Sequence, residues 1–249
     1  MHCKIRISWL WIPFLLWIPW NESWKTLAFL FLFLSVHELA HIAVAKWFHY
    51  PIQKMIIYPF GLCAVIDSIG YRQGLSDLMI LMAGPFTHML WPLLLHLCCQ
   101  LGLIYTVYVE YLCMLNASIL LFNLLPIYPL DGGRIMELLV QKLLPFTRAK
   151  QATLMLSIIF VGIIAAAHVF RGLSGSVVCI LLIIENLMSF SSIAYQRLQF
   201  YHYRYQHPVN YPIKMNSHKD LYRFSCNIMK VREQWIKEDR WLSIFFHKR

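Results

Sequence analysis

Charge is what this chain has least of. Of its 249 residues only 14% are Asp, Glu, Lys or Arg, while 59% are hydrophobic. An ordinary soluble domain carries about 25% charged residues, so this chain cannot cover a globular surface with polar groups. Acidic residues are the scarcer sign, 12 against 22 Lys and Arg. The seven cysteines (Cys3, Cys63, Cys98, Cys99, Cys113, Cys179 and Cys226) include no C-x-x-C pair and are odd in number. They read as reduced, mostly apolar filler rather than a disulfide framework. No recognisable nucleic-acid module accompanies the positive charge, so no nucleic-acid partner is expected. No internal repeat or low-complexity stretch is visible either.

What the chain does have is apolar sequence in long runs, with a mean hydropathy of +0.56. The expected fold is an all-α polytopic membrane protein of six transmembrane helices with a short membrane-associated β-hairpin or loop. At about 20 residues per crossing, the spans fall at Ile7–Trp20, Trp24–Phe48, Leu78–Leu101, Ile104–Leu125, Thr153–Phe170 and Ser176–Tyr195. The first is short and rich in Trp and Pro. It has no small-residue cleavage site, so a span or anchor is expected there rather than a leader. Between the second and third spans, Q-K-M-I-I-Y-P-F-G-L-C-A-V-I-D is too short to cross and is interrupted by Pro59 and Gly61. Two short strands pressed into the membrane surface are expected there. Residues 1–195 form the transmembrane domain. The segment from Gln196 holds eleven basic and four acidic residues and reads as a basic tail against anionic lipid.

Within the second span stands His37-Glu38-Leu39-Ala40-His41. On a helix, His37 and His41 lie on one face, where both imidazoles can hold one metal ion. Glu38 is offset by roughly 100° and stands beside that position, placed to take a proton from water. H-E-x-x-H also arises by chance, as surface polars or as satisfied core histidines. The membrane setting favours the metal, because ionisable groups inside a span are costly unless they serve a metal, a cavity or a partner.

A catalytic zinc takes three protein ligands and one open position. Asp131 is the candidate third ligand, set in Asn123-Leu124-Leu125-Pro126-Ile127-Tyr128-Pro129-Leu130-Asp131-Gly132-Gly133. Pro126 and Pro129 cannot continue a helix, and the two glycines permit a sharp turn after Asp131. A turn aspartate capping its own backbone is the alternative. Glu137 and Asp67 are weaker candidates, more naturally solvated loop carboxylates. His88, His96 and His168 read as packed or interfacial histidines. Glu185, inside the sixth span, needs a partner or water.

H-E-L-A-H in a membrane span, followed about 90 residues later by N-x-x-P-x-x-P-L-D-G-G, resembles the site-2 protease family of intramembrane zinc metalloproteases (peptidase family M50). The order of elements and the small size are most similar to its sporulation branch. That branch cleaves an inactive sigma-factor precursor, pro-sigma-K, in the mother cell of spore-forming bacteria. The resemblance implies Zn2+ as cofactor, His37, His41 and Asp131 as its ligands, and Glu38 as general base. It also implies that Asn123, Pro129, Phe60 and Gly61 lie along the substrate path. A membrane-associated protein substrate and membrane inhibitor or regulatory proteins are the implied partners. Many members have Gly-Pro-x-x-Asn in the third span, where this chain reads Gly84-Pro85-Phe86-Thr87-His88. The 54 residues from Gln196 are short for the nucleotide-sensing CBS domain of the sporulation branch.

Basic residues precede the first expected span and follow the second, fourth and sixth. By the positive-inside rule both termini are cytoplasmic, and the metal site lies within the membrane near the inner face. Two function classes follow from the motif: an intramembrane protease, or a non-catalytic metal-binding or metal-transporting protein. A transporter is expected to show repeated halves. It also has little use for an acid beside the two histidines.

Overall fold

A computed structural model describes residues 4–8, 24–58, 61–66, 69–72, 74–167, 173–209, 211–216, 220–231 and 234–247. The run from Trp24 to Trp47 is one unbroken helix, α1, of 24 residues. At 1.5 Å per residue it is about 36 Å long, enough to cross a bilayer. It stops where His49 takes a left-handed φ of 56° and Pro51 follows. Tyr50 N–H closes the end by donating to the Ala45 carbonyl at 2.9 Å.

The chain folds as two units, one of residues 1–69 and 75–124, the other of 70–74 and 125–249. In the first unit β1 (Lys4–Ile7), β2 (Ile52–Tyr58) and β3 (Gly61–Ile66) form a sheet in that order. β1 runs parallel to β2, and β2–β3 is the expected hairpin, pairing Tyr58 with Gly61. Helices α2 (Gly74–Gln100) and α3 (Thr106–Asn123) complete the unit. Pro85 and Pro92 lie inside α2. Each removes one ladder hydrogen bond, an interruption that membrane helices tolerate when neighbours satisfy the freed carbonyls. Asn116 Nδ2 of α3 does so for the His88 carbonyl, four residues before Pro92, donating to it at 2.8 Å. Phe33, Leu95, Val109 and Leu112 pack α1, α2 and α3 together. Tyr50 ties the end of α1 to α2 by donating to the buried Asp77 carboxylate.

The second unit holds α4 (Asp131–Leu143), α5 (Phe146–Ala166), α6 (Leu173–Ser191) and α7 (Ile193–Gln206). Beyond them, β4 (Ile213–Asn216), β5 (Cys226–Val231) and β6 (Gln234–Lys237) form a second sheet, and α8 (Glu238–His247) closes the described chain. Residues after Gln196 therefore carry regular structure around an apolar centre of Phe146, Phe200, Tyr201, Leu221, Met229 and Leu242. Arg204, on α7, is buried there with Glu238. Its Nε and Nη2 donate to the two carboxylate oxygens at 2.6 and 2.8 Å, and Nη1 and Nη2 reach the Arg223 and Ser225 carbonyls. Removing one partner strands a buried charge, so Arg204→Met is expected to destabilise this unit by about 3–5 kcal/mol. Pulse proteolysis of the purified chain measures it, and an unchanged midpoint contradicts it.

The fold is that of an all-α polytopic membrane protein carrying two small sheets. Among the described residues four helices are long and apolar enough to cross a membrane: α1, α2, α3 and α5. A fifth span is reached if α6 and α7, bent by 54° at Ser192, count as one. Of the six expected spans, the first falls where little is described and the sixth is corrected. The first lies almost wholly in residues 9–23, outside the described residues, and its opening residue Ile7 ends strand β1. The sixth does not run straight through Tyr195, because the helix breaks at Ser192.

Candidate metal centre

His37 and His41 are both buried on one face of α1, with their Nε2 atoms 3.0 Å apart and their rings tilted by 82°. Each ring is held from behind. His41 Nδ1–H donates to the Ile80 carbonyl of α2 at 2.6 Å. His37 Nδ1 lies 3.1 Å from His88 Nε2. His88 Nδ1 lies 2.6 Å from Asn116 Oδ1, and Asn116 Nδ2 donates to the His88 carbonyl at 2.8 Å. Gly84 of α2 faces the pair. A Cβ there would lie 2.5 Å from His37 Nε2 and closer still to His41 Nε2. Only a glycine leaves that space open.

Asp131 opens α4, where a carboxylate is favoured by the helix dipole. The N-cap residue is Leu130, and no side chain caps the helix. The expected sharp turn at Gly132-Gly133 is replaced by helix, and the reason for Gly133 is steric. A Cβ at Gly133 would collide with the Ile127 carbonyl and the Tyr128 nitrogen. The loop before Asp131 is pinned from two helices. Tyr128 N–H donates to Ser157 Oγ of α5 at 2.9 Å, and Asn186 Nδ2 of α6 donates to the Tyr128 carbonyl at 2.6 Å. The Lys150 ammonium sits over the Tyr128 ring, 4.3 Å from its centre, and pairs with Glu137 at 2.8 Å. Glu137 is thereby committed to Lys150 and to Gln141.

His37 and His41, in the first unit, and Asp131, in the second, are the metal-capable side chains that the two motifs supply. The donor set fits zinc: two neutral imidazoles and a carboxylate, with a glycine-made cradle at the imidazole nitrogens. On a tetrahedral zinc with bonds of about 2.0–2.1 Å, two such nitrogens stand about 3.3–3.4 Å apart, close to the separation here. Glu38, the next residue on α1, is half-buried.

Asn123 ends α3, half-buried, and Pro129 follows a cis Tyr128–Pro129 bond. Gly61 opens β3. Phe60, Asp67 and His168 lie outside the described residues. His96 is exposed and bonds to the Pro92 carbonyl of its own helix. Glu185 is exposed, whereas its neighbour Asn186 is buried and holds the Tyr128 loop. Sequence reasoning missed Asn116, Ser157 and Asn186, polar residues with no motif around them. It reads His88 as a packed or interfacial histidine, although its place in Gly84-Pro85-x-x-His88 is the available signal.

A multi-helix membrane protein with a helix-borne histidine pair and an aspartate at the start of a second helix resembles the site-2 class. Residues 98–165 match the family model of peptidase family M50. The chain is 35% identical over 136 residues to stage IV sporulation protein FB of Bacillus subtilis strain 168, covering 55% of this chain and 47% of that one. It is 34% identical over 132 residues to a zinc metalloprotease of Methanocaldococcus jannaschii, covering 49% and 37%. The solved site-2 protease of Methanocaldococcus jannaschii superposes with a TM-score of 0.52 at 25% identity, covering 78% of this chain and 92% of that one. Over these stretches the chain is similar to members of peptidase family M50 of the site-2 type. It spans less than half the length of the two curated relatives.

Proposed function

We propose that this chain is an intramembrane zinc endopeptidase that cleaves a membrane-associated protein near the cytoplasmic face. The observation that supports it most is the pair of buried imidazoles in a membrane-length helix, with Nε2 atoms 3.0 Å apart and room kept open by Gly84. A surface or core histidine pair needs neither the cradle nor the carboxylate of Asp131.

His37, His41 and Asp131 would hold the metal. When bound, zinc supplies a water nucleophile at neutral pH and polarises the scissile carbonyl. Glu38 takes the proton from the attacking water and returns it to the departing amine nitrogen. The water's oxygen ends on the carbonyl carbon, the C–N bond breaks, and Glu38 is left as it began. A peptide bond within a helix is shielded by its own hydrogen bonds, so the substrate must be extended first. Among the described residues β1 covers one side of β2, leaving β3 to accept a substrate strand. Asn123, Pro129, Phe60 and Gly61 line that path in this account. Prolines in β3 remove donors that a docked strand needs and are expected to reduce cleavage; unchanged processing contradicts this docking mode.

The finer reading takes pro-sigma-K as substrate, during sporulation, in the mother-cell membrane around the forespore. Both termini are then cytoplasmic and membrane partners restrain the enzyme. Its support is the likeness to the sporulation protein. The test is co-expression with a pro-sigma-K precursor in a host lacking other such proteases. A shortened product that disappears with a zinc chelator supports the proposal. Intact precursor beside a zinc-loaded enzyme removes this substrate, and a zinc-free enzyme removes the protease reading altogether.

A further inference from the structure

His88 and Asn116 are buried polar residues on α2 and α3, with 1% and 2% of their surface exposed. They form an unbroken chain of hydrogen bonds ending on His37, and the donors along it can be assigned in turn. Asn116 Nδ2 donates to the His88 carbonyl, which fixes the amide and turns Oδ1 toward the His88 ring. An amide oxygen only accepts, so His88 Nδ1 carries a proton. The neutral ring then has a bare Nε2, which accepts from His37 Nδ1–H at 3.1 Å. His37 is left with its proton on Nδ1 and a lone pair on Nε2, the atom that faces His41 Nε2. His41 reaches the same state through the Ile80 carbonyl.

We propose that Asn116 and His88 are positioning residues that set the tautomer and ring angle of His37, and through it the affinity of the metal site. The proposal rests on the zinc reading above. A free imidazole prefers its proton on Nε2, which would block the ligand atom. The Asn116–His88 chain reverses that preference from two helices away, in an apolar setting where an unmade hydrogen bond is costly. Packing alone needs only the shape of His88. Positioning needs an acceptor at the His88 Nε2 position and an acceptor behind it.

The test uses the full chain purified in detergent, as wild type, His88→Leu, His88→Gln and Asn116→Leu, each titrated with zinc against a competing chelator. The wild type is expected to bind one zinc. His88→Leu and Asn116→Leu should bind it about 10–100-fold more weakly. His88→Gln offers its Oε1 to His37 Nδ1–H and should recover most of the loss. Equal affinity in His88→Leu and wild type overturns the proposal, as does a His88→Gln variant no better than His88→Leu. A wild type that binds no zinc overturns the function proposed above instead. Should the leucine variants fail to fold, 15N NMR of histidine-labelled, zinc-free wild type decides. His37 and His88 protonated on Nδ1 support the proposal, and His37 protonated on Nε2 overturns it.

Discussion

In Glu38→Gln, zinc stays bound and cleavage falls by about 10²–10⁴-fold. The substitution keeps the length and shape of the side chain and removes only its ability to hold a proton in transit. Glu38 follows His37 directly on α1, so the helix turn places it beside the imidazole pair and outside the ligand set. The two histidines keep their contacts to Ile80 and His88 in the variant, which is why metal content is expected to survive. The paired readout separates the function classes. A transporter or structural metal protein loses little when a carboxylate outside the ligand set becomes an amide. A peptidase loses its proton carrier. Full cleavage by a zinc-loaded Glu38→Gln enzyme would refute the assignment of Glu38.

The second large effect is expected at Gly84, whose replacement by alanine should empty the site. By helix propensity alone Gly84→Ala stabilises α2, by about 1 kcal/mol at most. Sterics point the other way. The added methyl would lie 2.5 Å or less from both imidazole Nε2 atoms, and the rings cannot swing aside without giving up Ile80 and His88. The expected result is a folded protein with helix content unchanged, zinc affinity down at least about tenfold, and cleavage lost. An alanine variant with one tightly held zinc and normal processing would mean that the cradle is not the metal position. Few substitutions separate folding from metal binding so cleanly.

The same sequence was legible in some places and opaque in others, for physical reasons. α1 could be bounded closely because its apolar run ends at Lys46 and at a proline five residues on. The histidine pair was legible because helix periodicity fixes the relation of residues four apart. β1 was hidden: Lys4-Ile5-Arg6-Ile7 alternates as a strand does, but four residues beside a hydrophobic run read equally well as its charged flank. Helix α4 was hidden by its own first turn, where Asp131-Gly132-Gly133 carries turn residues for a steric reason that only the fold reveals. The bend at Ser192 has no proline or glycine to announce it. The residues after Gln196 looked like a basic tail because their buried groups are charged. Arg204, Arg223 and Glu238 satisfy one another, or nearby carbonyls and amides, within the fold. Asn116, Ser157 and Asn186 work through partners 28, 29 and 58 residues away, and no local pattern encodes such a distance.

X-ray absorption at the zinc edge of the detergent-purified chain is the most direct measurement of the central claim. The account predicts about one zinc per chain, with nitrogen and oxygen neighbours at about 2.0–2.1 Å, a multiple-scattering signature of two imidazoles, and no sulfur neighbour at about 2.3 Å. A single imidazole, a thiolate shell, or a chain that takes up no zinc at all would contradict it.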